Sequence, residues 1–202
     1  MGFDPKAIIQ LGDIGVWKET LHEFPRLPLT TYFILGNHEM LGAKTIAEEC
    51  LPSSYVLVKP DKPIDICGLK TIGISGSHYI DDYNTPPGST INDYDVEKAL
   101  SQTDVDMILT HDCPFGIGVK SNFFTPGRYV DVGAKQLNQL YAIRPKIWLF
   151  GHHHLNFTTR RNKMLLIGQT VACDGFGILD TESLGYRFMT WLAEEKKELK
   201  TK

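Results

Sequence analysis

The chain has 202 residues, of which 42% are hydrophobic and 22% are charged. This composition is typical of a globular protein with one substantial core, and it predicts a single domain over 1–202. The net charge of −3 shows no basic excess, so nucleic acid is possible as a substrate but is not indicated by charge.

Compartment and membrane contact can also be predicted from the sequence. Apolar runs such as "YFIL" (32–35) and "IWLF" (147–150) are far too short to span a bilayer. The N-terminus lacks the basic region and long apolar segment of a secretory signal. The four cysteines are scattered and form no C-x-x-C pair, as in proteins with reduced thiols. We therefore expect a cytoplasmic protein without a membrane partner.

Short apolar runs alternate with helical patterns along the chain, which favours an α/β fold. Segment 64–76 predicts two strands around a tight turn at Gly68, and the part after Met164 predicts further strands and hairpins. Two packed sheets flanked by helices would accommodate all of these elements. Buried strands are predicted at 7–11, 32–35, 106–109 and 147–150, and helices near 17–24, 43–50, 93–101 and 131–142.

Each of the four predicted strands runs into residues that bind metals. Ligands of open α/β sheets gather at the carboxyl ends of strands, so these residues are expected to lie together. Carboxylate, amide oxygen and imidazole donors suit Mn, Fe, Zn or Co. The residues after the strands are Gly12 and Asp13; Gly36, Asn37, His38 and Glu39; His111 and Asp112; and Gly151, His152, His153 and His154.

The three consecutive histidines need not share one role. At the end of a strand, residues two positions apart point the same way. His152 and His154 are therefore expected to face the metal site, while His153 points elsewhere as a surface or supporting residue. Asp112 is expected to orient the ring of His111.

The ordered set GD, GNHE, H and GHxH, from Gly12 to His154, resembles the motifs of the calcineurin-like metallophosphoesterases. The resemblance implies a four-layer αββα sandwich, in which two mixed β-sheets pack face to face with helices outside. It also implies hydrolysis of a phosphoester, as a phosphatase or phosphodiesterase, by a water that two divalent metal ions activate. The substrate is not specified by the resemblance.

The resemblance also assigns roles to individual residues. Asp13 would bridge the two metals, and His154 would bind the first of them. His38 would lie above the metals as a general acid, without being a ligand, and Glu39 would support the site. The second metal would be completed by Asn37, His111 and His152.

One motif of this family is absent from the sequence. The family pattern starts with D-x-H at the end of the first strand, and the chain contains no D-x-H. The first strand is therefore expected to be missing, through N-terminal truncation, loss of one metal or loss of catalysis; truncation is favoured because the other ligands are intact. One metal site would be well formed, and the other would keep only Asp13 and His154. The alternative function is a catalytically impaired member that acts as a protein-interaction scaffold.

Overall fold

The computed structural model describes residues 4–15, 24–39, 50–80, 85, 88–121 and 130–191. The helices predicted near 17–24 and 43–50 lie almost entirely outside these ranges. Within them, no helix is both long and apolar enough to cross a lipid bilayer.

A small sheet contains three parallel strands, β1 (Ile8–Gln10), β2 (Thr31–Phe33) and β3 (Tyr55–Leu57), in that order. In the register of this sheet, Gln10 lies opposite Phe33. Because β1 and β2 run in the same direction, their carboxyl ends lie side by side. The loops that contain Asp13 and Asn37 therefore leave the sheet at the same edge.

A larger sheet contains six strands and is mixed. Its four central strands are parallel to one another, and its two outer strands are antiparallel to their neighbours. In chain order the strands are β4 (Ile64–Ile66), β5 (Leu69–Ile74), β6 (Met107–Thr110), β9 (Ile147–Phe150), β10 (Phe157–Arg161) and β11 (Met164–Gly168). The spatial order is β10-β11-β9-β6-β5-β4.

Two antiparallel hairpins complete the strands of the described part. One pairs β7 (Lys120–Ser121) with β8 (Val130–Asp131), and the other pairs β12 (Gly175–Asp180) with β13 (Gly185–Thr190). The second hairpin contributes Leu179 and Tyr186 to the apolar cluster between the two main sheets.

Alternating side chains of the large sheet build two separate cores. Leu109 and Leu149 point toward the small sheet and pack in one cluster with Ile34. Their neighbours Ile108 and Trp148 point to the opposite face. That face is covered by helix α1 (Asp93–Leu100) and by a 3-10 helix (Lys135–Ile143). The two sheets thus pack face to face with helices outside the larger one, and the predicted α/β sandwich is confirmed.

Two details of the fold differ from the prediction. The helix predicted at 131–142 is a 3-10 helix that ends at Ile143, before Arg144, whose φ of 57° is left-handed. The small sheet is purely parallel in the residues described here, although two mixed sheets were expected. The helix predicted at 93–101 is α1, which begins where the Asn92 side chain accepts a hydrogen bond from the Tyr94 N–H.

Candidate metal centre

The loop after β1 turns sharply toward the loop after β2. Gly12 has a φ of 101° and Asp13 a φ of 56°, so two successive residues adopt left-handed conformations. Gly36 allows the close approach that follows, because a β-carbon there would lie 2.0 Å from Asp13 Oδ1. The glycine before Asn37 therefore provides the space that the Asp13 carboxylate occupies.

Glu39 connects the two loops from inside the protein. Its buried carboxylate accepts hydrogen bonds from the N–H groups of Asp13 at 3.2 Å and of Gly15 at 3.1 Å, and also from that of Gly36. Burial and the nearby charge of Asp13 raise the pKa of Glu39. Glu39 was expected to support the site, and it does so by holding the backbone of both loops in place with one side chain.

His111, at the end of β6, lies where these two loops meet. Its Nδ1 is 2.6 Å from the carbonyl oxygen of Leu11. A carbonyl only accepts hydrogen bonds, so Nδ1 carries a proton and Nε2 faces the candidate site. Nε2 is 2.9 Å from Asn37 Oδ1 and 3.3 Å from Asp13 Oδ2. Three predicted ligands therefore converge on one point.

The charges of His111 and Asp13 are coupled. Burial by itself lowers the pKa of His111, but the hydrogen bond and charge of Asp13 outweigh it, so the pKa lies above the ordinary 6.5. Burial likewise opposes ionisation of Asp13, yet the bond from His111 lowers its pKa to about 2. A cation bound at His111 Nε2 would lie beside the Asn37 and Asp13 oxygens, at 2.9 Å and 3.3 Å from this nitrogen.

His152 brings a second imidazole to this point. The centre of its ring lies 5.0 Å from that of His111. Burial lowers the pKa of His152 to about 4, so its ring is neutral near pH 7. A neutral imidazole can bind a metal without first losing a proton.

His38 and His154 occupy more exposed positions than the other predicted site residues. The His38 side chain is exposed, and its backbone N–H donates to Asp13 Oδ1 at 3.0 Å. The charge of His38 also contributes to the low pKa of Asp13. His154 is exposed, and its carbonyl accepts a hydrogen bond from the Thr170 hydroxyl at 3.2 Å. In the described residues the His154 ring forms no hydrogen bond or ion pair with Asp13 or His111.

Comparison with known proteins identifies the relatives of this fold and site. The family model for calcineurin-like phosphoesterases matches residues 3–156. The chain belongs to the calcineurin-like phosphoesterase family. Members of this family bind divalent metal ions, which agrees with the convergence of oxygen and imidazole donors in this phosphoesterase.

Two relatives give the comparison further detail. The chain is 30% identical over 180 residues to a lariat debranching enzyme of Entamoeba histolytica, covering 76% of this chain and 49% of that enzyme. It therefore spans about half the length of this curated relative. The crystal structure of TT1561 of Thermus thermophilus superposes with a TM-score of 0.66 at 13% identity, covering 92% of this chain and 86% of that chain. At this identity the second comparison shows the shared fold alone.

Next to the predicted ligands of this calcineurin-like phosphoesterase lies a second group of potential metal donors. Side-chain atoms of Asp112, Cys113 and His153 lie within 4.8 Å of one another. Burial raises the pKa of the Cys113 thiol, which disfavours the thiolate that binds metals. The Asp112 carboxylate is already used by hydrogen bonds, including one of 2.8 Å with His153 Nε2. We therefore assign this group to hydrogen bonding.

The expected role of Asp112 in orienting His111 is wrong. The backbone carbonyl of Leu11 orients that ring instead, and Asp112 bonds to His153 and to the N–H of His78 at 2.9 Å. A backbone carbonyl has no signature in the sequence, so this contact could not be predicted. His153, expected to be a surface or supporting residue, is largely buried and bonded to Asp112.

Proposed function

We propose that this phosphoesterase hydrolyses a phosphoester with a metal-activated water. The observation that carries the proposal is the convergence on His111 Nε2, with Asn37 Oδ1 at 2.9 Å and Asp13 Oδ2 at 3.3 Å. Membership of the family supports the same activity. Since the chain spans half of its curated relative, activity is proposed for this chain and is not transferred from the whole enzyme.

The donor set fits a divalent transition metal. Asp13, Asn37, His111 and His152 would hold one ion, because carboxylate, amide oxygen and imidazole suit Mn, Fe, Zn or Co. When bound, such an ion polarises the phosphoryl group and makes water a stronger nucleophile near neutral pH. Asn37 Oδ1 and Asp13 Oδ2 both lie within 3.3 Å of His111 Nε2, so these three donors can share one ion.

Asp13 is proposed to bridge two metal positions. Its Oδ2 faces His111 Nε2, whereas its Oδ1 accepts the His38 N–H. One carboxylate thus presents its two oxygens in different directions. The second position would be completed by His154 and by oxygens of water or substrate. We therefore propose one well-formed metal site and one incomplete site.

His38 is proposed to be the general acid. It is the exposed neighbour of Asp13, and its backbone is fixed to the Asp13 carboxylate. An imidazole can give a proton to a leaving oxygen at neutral pH. Its exposure leaves the ring accessible to a substrate that approaches from solvent.

The proposal also includes a substrate class and a compartment. We propose a phosphodiester in nucleic acid, supported by the 30% identity to a lariat debranching enzyme. The net charge does not add to this argument. We also propose a cytoplasmic location, supported by four free cysteines.

A hydrolysis assay with Mn²⁺ tests the proposal. Bis(p-nitrophenyl) phosphate should be hydrolysed faster than p-nitrophenyl phosphate if the natural substrate is a diester. Chelation should abolish turnover, and added Mn²⁺ should restore it. A protein that binds Mn²⁺ but hydrolyses neither ester would contradict the enzyme and favour the protein-interaction scaffold.

Metal affinity should depend on pH through His111. The pKa of this ring is raised by Asp13, and the metal competes with the proton on Nε2. Affinity should therefore fall about tenfold for each unit of pH below the raised pKa of His111, and level off above it. His152 should not contribute above pH 5, because its pKa is about 4. Calorimetric titration with Mn²⁺ from pH 5.5 to 8.5 checks this, and an affinity that is flat over the whole range would contradict it.

A further inference from the structure

The turn that contains His152 has an unfavourable backbone. His152 has a φ of 61° and His154 a φ of 51°, so two residues with β-carbons adopt left-handed conformations within three positions. Inside the turn, the His153 N–H donates to the Gly151 carbonyl at 2.7 Å. A conformation of this kind persists when contacts from outside the turn also hold it.

Asp112 provides such a contact. Its side chain is almost fully buried at the end of β6, with a relative exposure of 1%. Its Oδ1 lies 2.8 Å from His153 Nε2 and accepts the Cys113 N–H at 2.7 Å. Its Oδ2 accepts the His78 N–H at 2.9 Å. One carboxylate therefore joins the end of β6 to the histidine turn and to the segment after β5.

The backbone of Asp112 is itself fixed from the core. The Trp148 indole donates to the Thr110 hydroxyl at 2.9 Å, and this hydroxyl donates to the Asp112 carbonyl at 2.6 Å. Trp148 and Thr110 are both buried. The carboxylate therefore projects from a rigid support, and it can hold the turn against relaxation.

Three neighbouring histidine rings connect Asp112 to the candidate metal centre. The centre of the His152 ring lies 4.9 Å from that of His153 and 5.0 Å from that of His111. His152 is thus packed between a ring bonded to Asp112 and a ring that faces Asp13. A shift of His153 would move the backbone that presents His152.

We propose that Asp112 is a positioning residue, which holds the left-handed turn at 151–154 through His153 and so keeps His152 beside His111. The inference rests on the proposed function in one respect, namely that His152 binds a metal. The positional part concerns the protein alone and can be tested without a metal.

Mn²⁺ affinity of the full chain is the first measurement. Asp112→Asn keeps the shape of the side chain but replaces one acceptor oxygen by an NH₂ donor. This donor faces an N–H group, so the hydrogen bond is lost. His153→Phe keeps a ring but removes the donor. Each variant should lower affinity about 10- to 100-fold, the usual effect of removing a partner behind a metal ligand. The double variant should lose little more than either single variant, because both changes break the same contact.

Asp106→Asn is the matched control. Asp106 lies just before β6, at the opposite end of that strand, and pairs with Lys146 at 2.7 Å. It also accepts the Lys70 N–H at 3.1 Å. This change should lower the melting temperature without changing Mn²⁺ affinity. An Asp112→Asn protein that binds Mn²⁺ as tightly as wild type overturns the inference, as does a double variant with fully additive losses.

Histidine ring signals in ¹H–¹³C NMR spectra of the metal-free protein are the second measurement. Asp112→Asn should shift the signals of His152 as well as those of His153, while Asp106→Asn leaves both in place. Unshifted His152 signals overturn the inference, whether or not the wild type binds Mn²⁺. Shifted signals in a wild-type chain that binds no Mn²⁺ support the positional role and contradict the proposed function alone.

Discussion

Replacing Asp13 by asparagine is expected to reduce hydrolysis of bis(p-nitrophenyl) phosphate to the background rate. Asn keeps the size of the side chain but loses the charge that pairs with His111 across 3.3 Å. In Asn, an NH₂ group replaces one of the two carboxylate oxygens. This group faces either the His38 N–H or the His111 ring. Metal affinity should fall together with turnover, because the proposed bridging ligand has lost its charge. Steady-state hydrolysis and metal analysis after dialysis measure the two effects.

Asp65→Asn serves as the control for this experiment. Asp65 lies in β4, where it is exposed and accepts the N–H of Gly68 in the turn to β5 at 3.0 Å. It has the same chemistry as Asp13 but makes no contact with the candidate site. Turnover and metal content should stay at wild-type values. If Asp13→Asn also keeps both, the metal centre is not where we place it.

Replacing His38 by glutamine should separate metal binding from catalysis. The backbone bond from His38 to Asp13 Oδ1 does not depend on the side chain, so the proposed ligands should stay in place. Metal content should therefore equal that of the wild type. Turnover should fall by ~10²–10⁴, the usual contribution of a positioned acid. The fall should be smaller for esters with good leaving groups, which need less protonation.

His78→Gln is the matched control, since His78 is an exposed histidine on the segment after β5. Its contact with Asp112 uses the backbone N–H, which the substitution retains. Turnover of this variant should equal that of the wild type. Loss of metal from His38→Gln would show that His38 is a ligand. Unchanged turnover on esters with poor leaving groups would remove the acid role.

The parts of the fold that could be predicted are those with buried apolar strands. Runs such as 147–150 are apolar on both faces, because β9 lies between two cores. Strands β3, β7, β8 and β10 escaped prediction, and for two of them the reason is clear. β10 is an edge strand with the mostly polar sequence FTTRR, and β3 has only three residues, with Lys59 and Pro60 soon after it. Strands at the edge of a sheet are less buried, so their sequences contain fewer of the apolar residues by which a strand is recognised.

The candidate ligands could be proposed from the strand ends, but of the contacts behind them only the supporting role of Glu39 was expected. The strand ends identified Asp13, Asn37 and His111, and the structure brings these three together. The contacts behind them depend on distances that no local pattern contains. Backbone groups such as the Leu11 carbonyl leave no trace in residue identity. The partner of Asp112 was misjudged because proximity in sequence suggested His111, whereas the left-handed turn presents His153.

The hydrogen bond between His111 Nδ1 and the Leu11 carbonyl joins positions 100 residues apart. Such a contact closes a very long loop, so it forms only after the strands between these positions have assembled. An unfolded or half-folded chain therefore cannot display the donor set around His111. A ligand selective for this centre binds the native state alone and stabilises it by ~2.7 kcal/mol at a hundredfold excess over its Kd. Metal binding at the centre therefore reports that folding is complete. Fragments that lack either Leu11 or His111 should not be stabilised by added metal.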